Sequence, residues 1–393
     1  MSEILFWLSA FVLAYTYVGF PLLLILRAKL RPRALRSGIH TPTVSLLITA
    51  HNEAAVLSRK LENVLSLDYP RNRMEVIVAS DGSDDGTNEI VAEHRDKGIL
   101  LLALPRRGKI PTLNEAVPSA RNEILVFSDA NSMYAPGALR ALVRPFADPQ
   151  VGGVAGDQRY SKRSLASSAT GGEHAYWSLD RMLKRWQSRA GSVTSATGAI
   201  YAIRRELFKP LPGGVCDDAT ISYEVIAQGG RMVFEPEAAA FEHVAPSANA
   251  EFRRKVRVCA RGLRGLIEMR GLLNPFRYGF YSLQLFSHKL LRWLAVWPLA
   301  VAFVCSLALW PVGPVYRTLA LTQSAFYGLA IATFFFRKRP FPSSGMLKVL
   351  SIPFYFCLAN MAFLVAQFRV VRGQRIDSWE VRRFDRQPVT QQP

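Results

Sequence analysis

The sequence predicts an α/β fold, a mostly parallel sheet flanked by helices, with transmembrane helices at both ends. Three observations carry this. Long uncharged apolar runs are confined to the two ends of the 393-residue chain. Between them, short β-rich runs alternate with amphipathic stretches, the pattern of an α/β domain. The strands also end in polar or acidic turns, where open parallel sheets bind their ligands.

The apolar runs are Ile4–Leu26, Trp293–Tyr316, Thr318–Phe336 and Val349–Phe368. Each approaches or exceeds the roughly 18 to 20 residues that a helix needs to cross hydrocarbon. The first is longer than a signal-peptide core of roughly 7 to 15 residues, and its basic residues follow it, so a retained anchor is expected. One span before the central domain and three after it would put the tail outside, whereas Arg372, Arg375, Arg382, Arg383 and Arg386 favour the inside. Either one run is re-entrant, or Phe280–Leu291 joins a further crossing. The expected organisation is an anchor over 1–27, an α/β domain over 28–250, an amphipathic helical region over 251–280, membrane helices over 281–370 and a basic tail over 371–393.

The formal charge of +19 would suit nucleic acid. Its basic residues, however, cluster beside the apolar runs, at Arg27, Lys29, Arg31, Arg33 and Arg36 and again at Arg337, Lys338 and Arg339. Such clusters favour membrane lipids as partners and cytoplasmic loops as their location, and no nucleic acid is expected. Cys216, Cys259, Cys305 and Cys357 show no CxxC spacing, which implies neither a disulfide framework nor a zinc site and fits a reduced cytoplasmic setting.

Within the central domain, Val44–Thr49 reads as a strand, Glu53–Ser66 as a helix, Glu75–Ala79 as a second strand and Asn88–His94 as a helix. Ile99–Leu104 is a third strand, Lys109–Ala120 a helix, and Glu123–Phe127 a fourth strand that runs to Asp129. Further on, Asp217 and Asp218 precede a helical run over Ala219–Gln228, so either could cap it. Glu251–Arg270 places Arg253, Arg257, Arg261 and Arg264 on one face and Val256, Cys259, Leu263 and Ile267 on the other, a helix expected at the boundary of domain and bilayer.

No GxGxxG fingerprint, GxxxxGK[ST] phosphate loop or HExxH motif is present. The run Ser80-Asp81-Gly82-Ser83-Asp84-Asp85-Gly86-Thr87 partly fits a calcium loop, but its twelfth position is Ala92 where a bidentate glutamate is required. His51, His94, His174 and His243 lack ligand spacing and read as structural. The spans carry no charge to mark a transport pathway.

Thr49-Ala50-His51-Asn52-Glu53, Ser80-Asp81-Gly82, Ser128-Asp129-Ala130-Asn131 and Cys216-Asp217-Asp218, taken together, resemble family 2 glycosyltransferases of the GT-A fold, the group of cellulose, chitin and hyaluronan synthases. The resemblance spans about Val44 to Arg264. It implies a nucleotide-sugar donor, UDP most of all, bound at Ala50, Glu53 and Asp81, with Lys109 of Arg106-Arg107-Gly108-Lys109 nearby. It implies Mg2+ or Mn2+ at Asp129, the first position of a DxD motif whose third position here is Asn131. Asp218 matches the catalytic base of an inverting transfer, with Asp217 in place of the usual glutamate, and Gly198 falls in the acceptor-side segment Thr197–Ala202. Tyr176 and Trp177 are further acceptor-side candidates. Of the QxxRW motif, Arg254-Lys255-Val256-Arg257-Val258 keeps only Arg257, near the diphosphate. The missing tryptophan favours transfer of one or a few sugars to a glycan or lipid-linked acceptor over processive synthesis. A non-catalytic nucleotide-sugar scaffold is the reading from another class, which the retained acidic residues argue against.

Overall fold

A computed structural model describes residues 1–36, 38, 40–160, 171–242, 247–336 and 345–374, the side chains of 160, 171–177, 336 and 345–351 aside. The basic cluster at 337–339, His243, the tail beyond 374 and the side chains of His174, Tyr176 and Trp177 lie outside this description.

Among the described residues, one eight-stranded sheet has the order β3-β2-β1-β4-β7-β6-β8-β5. Its first half is the parallel block expected: β1 (Val44–Ala50), β2 (Met74–Asp81), β3 (Ile99–Leu104) and β4 (Ile124–Asp129). All seven residues of β1 are buried, as a strand covered by helices on both faces requires. Alternate residues feed two cores. Val44, Leu46 and Ile48 face one and Leu47 the other, the period of two that a pleated strand imposes.

The second half departs from a parallel sheet. β7 (Tyr201–Arg204) runs antiparallel between β4 and β6 (Val151–Tyr160), β8 (Arg231–Glu242) is parallel to β6, and β5 (Met133–Tyr134) is antiparallel to β8. The sheet is therefore mixed. Glycines hide β6 from a hydropathy reading, yet they are what lets it pack: a Cβ on Gly156 would lie 2.7 Å from the carbonyl oxygen of Ala238, and one on Gly153 2.3 Å from the Met232 sulfur.

At the N-terminus, Ser2–Ala14, a π-turn over Tyr15–Gly19 and Phe20–Leu30 form one apolar rod. Ser2–Leu30, Pro314–Phe335 and Ile352–Val371 are long and apolar enough to cross a membrane, and Phe280–Leu294 with Val296–Ala308 forms a further pair bent by 55°. The run expected as a simple span from Trp293 is thus part of a broken element that begins near Phe280, which matches the alternatives left open by the charge of the tail.

The helix Ala248–Glu268 departs from expectation in what its basic face meets. Val256, Cys259, Ala260 and Leu263 pack on Ala362 and Ala366 of the Gly345–Val371 helix, where small residues allow close helix approach. Of the four arginines expected on that face, Arg257 and Arg261 line a cleft against the sheet, with Arg254 beside them, whereas Arg253 is exposed and Arg264 donates to the Gln374 carbonyl; Ile267 is exposed. The reason is packing. The apolar stripe docks on a neighbouring helix, so the stripe beside it turns toward the domain.

Gly156→Ala should destabilise the fold by about 1–3 kcal/mol through overpacking. Gly137→Ala, where a Cβ would meet nothing within 4 Å, should change stability by less than about 0.5 kcal/mol. Thermal unfolding of the full chain in detergent compares the two.

Candidate functional site

The carboxyl ends of β1, β2 and β4 lie side by side, with Ala50 opposite Ser80 and Thr49 opposite Asp129. From this edge opens a cleft of about 490 Å³ lined by Glu53, Lys109, Asp129, Asn131, Gly198, Asp217, Asp218 and Arg257. All seven site residues that the resemblance assigned beyond Ala50 and Asp81 therefore share one cleft although they span Glu53 to Arg257 in sequence, and Asp217, beside the candidate base, lines it with them. Ala50 and Asp81 do not line it.

Asp81 is fully buried. Its Oδ1 accepts hydrogen bonds from the backbone N–H of Arg107 (2.7 Å) and Gly108 (3.0 Å), and its Oδ2 pairs with the Arg106 guanidinium. The adjoining Gly82 has φ +58, and a Cβ there would sit 2.7 Å from the Arg106 nitrogen. Asp-Gly at this strand end is thus a clamp: the carboxylate holds the Arg106–Gly108 turn and the glycine leaves it room. That turn opens the helix Lys109–Ala116, so the clamp fixes where Lys109 begins.

The Lys109 ammonium bonds Asp129 Oδ1 at 2.7 Å and Asp217 Oδ2 at 2.9 Å. Burial disfavours its charge, and the two carboxylates outweigh burial, holding Lys109 well above the ordinary lysine range. Asp217 in turn is held below the usual carboxylate range, because Lys109 more than offsets its burial.

Asp218 differs from its neighbour. Burial, and then the charge of Asp217, push its carboxyl above the usual range, against the Cys216 thiol, Lys109 and the Ala219 N–H. Its Oδ1 accepts from the Cys216 thiol (2.9 Å) and from the Ala219 N–H (2.7 Å) at the start of the helix Asp217–Ala227. The helix thus starts at Asp217, two residues before the expected Ala219, with Cys216 at its N-cap and no side-chain capping bond, so neither aspartate caps it; both line the cleft. A reciprocal pair of hydrogen bonds between the Asn114 amide and the backbone of Leu211, each 2.9 Å, ties the preceding loop to the Lys109 helix.

Asp129 is seated against Gly198. A Cβ on that glycine would lie 2.8 Å from Asp129 Oδ2, and the Asp129 N–H donates to the Gly198 carbonyl at 3.2 Å. Asn131 is exposed at the following turn. Further along the Ser80–Thr87 run, Asp85 also serves the scaffold, accepting from the N–H groups of Ala54 and Thr87. His51 bonds the Asp81 carbonyl and His94 the Ile90 carbonyl, in line with structural roles.

Several lining residues had no signal in the sequence. Glu242, at the end of β8, is pushed above the usual carboxylate range by burial and by Asp129. It accepts from Gln158 and Ser132. Beneath it, fully buried Lys60 donates to the Ser132 carbonyl and is pushed down to about 7 by burial, Asp129 and Glu242 opposing. Cys216, Arg261, Lys289, Trp293 and Phe363 also line the cleft. Only a β8 strand placed in register with β6 would have brought Glu242 to this edge.

A mixed sheet with an acidic cleft at the ends of its parallel strands, backed by a lysine, is the architecture of a GT-A glycosyltransferase. Residues 42–265 match the model of the family described as glycosyltransferase like family 2, so the chain belongs to that family and is a transferase. It is 27% identical over 223 residues to poly-beta-1,6-N-acetyl-D-glucosamine synthase of Staphylococcus epidermidis, covering 54% of this chain and 53% of that protein. It is 27% identical over 237 residues to the probable glycosyltransferase YdaM of Bacillus subtilis, covering 56% and 55%. The chain thus spans about half the length of these relatives. A solved structure of the mannosyltransferase PcManGT from Pyrobaculum calidifontis, in complex with GDP-Man and Mn2+, superposes with a TM-score of 0.69 at 23% identity. That match covers 95% of this chain and 100% of the other, and it establishes the fold.

Asp81→Asn should cost about 2–3 kcal/mol, since hydrogen bonds to a buried charge weaken while Arg106 keeps part of its solvation. Chemical denaturation of the full chain measures this. An unchanged midpoint would show that the clamp does not hold the turn.

Proposed function

We propose that the chain transfers a sugar from a nucleotide-sugar donor of UDP type, with inversion, to a hydroxyl of a glycan or lipid-linked acceptor at the cytoplasmic face of the membrane. The observation that carries this is the juxtaposition in one cleft of a lysine-bridged pair of carboxylates, Asp129 and Asp217, with a third, Asp218, whose proton affinity is raised. One pair can organise a diphosphate, and the other carboxylate can take a proton.

In this reading Asp218 is the general base. An acceptor alcohol is a poor nucleophile until its proton is being removed, and a carboxylate with a raised pKa is the better acceptor. A single displacement needs one such group. Asp217 stays ionised beside Lys109 and keeps Asp218 basic through its charge. Lys109 and Arg257 offer positive charge to the leaving diphosphate, and Glu53, at the N-cap of the helix Ala54–Leu65, faces the nucleotide.

The donor set suits Mg2+ or Mn2+. Asp129 and Asn131 offer the oxygen ligands that hard cations take, and the absent side chain at Gly198 leaves Asp129 Oδ2 open toward the cleft. Asn131 contributes no charge, so Asp129 is the principal ligand of this site. When bound, the cation stabilises negative charge on the departing nucleoside diphosphate.

The basic residues Arg27, Lys29, Arg31 and Arg33 after the first apolar rod support the cytoplasmic placement. Processive synthesis is the alternative within the class, and product length separates it from transfer of one or a few sugars.

Asp218→Asn should lower transfer by about 10²- to 10⁴-fold while donor affinity persists; wild-type turnover in this variant would remove the base assignment. Because the base works deprotonated, activity should fall as pH drops, with an acid limb above the ordinary aspartate range. A pH–rate profile that stays flat down to that range would contradict the raised carboxyl. Asp129→Ala or EDTA should abolish cation-dependent donor binding, as titration calorimetry would report.

A further inference from the structure

Resting on the glycosyl-transfer reading, the far wall of the cleft bears on what the acceptor is. This wall does not come from the sheet. Lys289 and Trp293 come from the bent pair that begins at Phe280, and Phe363 comes from the Ile352–Val371 helix, both apolar enough to cross a membrane. A ligand reaching Asp218 from this side passes between side chains of candidate membrane helices.

The charges of the wall are unequally used. Buried Glu251 pairs with Arg254 at 2.7 Å and with Lys255 at 3.3 Å. Lys109 is held by Asp129 and Asp217. Lys289 makes no ion pair among the described residues, and its ammonium lies 6.0 Å from the centroid of the Trp293 ring. It projects from a π-turn over Phe286–Leu290, an irregularity that re-aims side chains and is frequent at functional sites. Trp293 is fixed in place: Gly262 lacks the Cβ that would lie 2.8 Å from its indole, and Gln367 donates to its carbonyl at 2.8 Å. A cation that makes no ion pair among the described residues and feels Asp180 only at longer range, beside a fixed indole in a cleft walled by candidate membrane helices, suits a phosphate on an amphiphile.

We propose that the acceptor is a membrane lipid with a phosphate-bearing headgroup, which enters between the bent helix pair and the Ile352–Val371 helix and places its phosphate on Lys289 beside Trp293.

The test uses the detergent-solubilised full chain and three probes: dodecyl phosphate, dodecanol and inorganic phosphate, titrated by native mass spectrometry. Dodecyl phosphate should bind at least about tenfold more tightly than either other probe. Lys289→Gln should erase its advantage over dodecanol, and Lys289→Arg should keep it, which separates loss of charge from loss of folding. Equal binding of dodecanol overturns the phosphate contact, equal binding of inorganic phosphate overturns the lipid, and an advantage that survives in Lys289→Gln overturns the residue. Nucleoside diphosphate release from nucleotide sugars by the unaltered chain is scored separately. If no donor is cleaved while the lipid preference holds, the transfer reading falls and the lipid site stands.

Discussion

The ammonium of Lys109 holds together groups that would otherwise repel. Asp129 ends β4 and Asp217 opens a helix nearly ninety residues later, and both carboxylates meet Lys109 Nζ within 2.9 Å. Two partly desolvated anions facing one cleft are costly without a cation, and breaking such a pairing from one side costs about 3–5 kcal/mol. The rest of the site follows from this constraint. Asp81 clamps the turn that starts the Lys109 helix, Gly82 gives that turn room, and Asn114 ties the same helix to the loop that delivers Asp217 and Asp218.

The same arrangement divides labour between adjacent aspartates. Asp217 takes the lysine and stays ionised. Asp218 turns to the Cys216 thiol and the Ala219 N–H, and feels burial and its neighbour's charge more strongly than the opposing charge of Lys109. Environments that push two like groups apart are what acid–base chemistry at neutral pH requires. Glu242 and Lys60 repeat the theme beneath Asp129, where a buried network of one ammonium and one carboxyl fixes the turn from Asp129 to Ser132.

How far this was legible depended on the range of the interactions. The parallel block β1–β4 was readable because each strand is a local apolar run closed by a polar turn, and Asp129, Asp218, Lys109 and Gly198 were placed through motif resemblance. β6 and β8 were not, since glycines dilute the hydropathy of one and Glu235, Pro236 and Glu237 interrupt the other; Glu242 was missed with them. The clamp role of Asp81 depends on a turn twenty-five residues away, and the inward basic face of Ala248–Glu268 depends on Ala362 and Ala366. Neither leaves a local trace. The runs at the chain ends announced membrane-compatible helices, whereas the bend between Leu294 and Val296 and the entry of Trp293 into the cleft are tertiary facts.

The central claim is that one cation-bridged cluster both seats the activated donor and presents the base to its acceptor side. The most direct test is a structure of the full chain with a nucleotide sugar and Mn2+. The account predicts the diphosphate beside Asp129 and Lys109, with the anomeric carbon turned toward Asp218 at roughly 3–6 Å, room for one acceptor oxygen between them. A nucleotide bound away from Asp129 and Lys109, or an anomeric carbon facing away from Asp218, would contradict it.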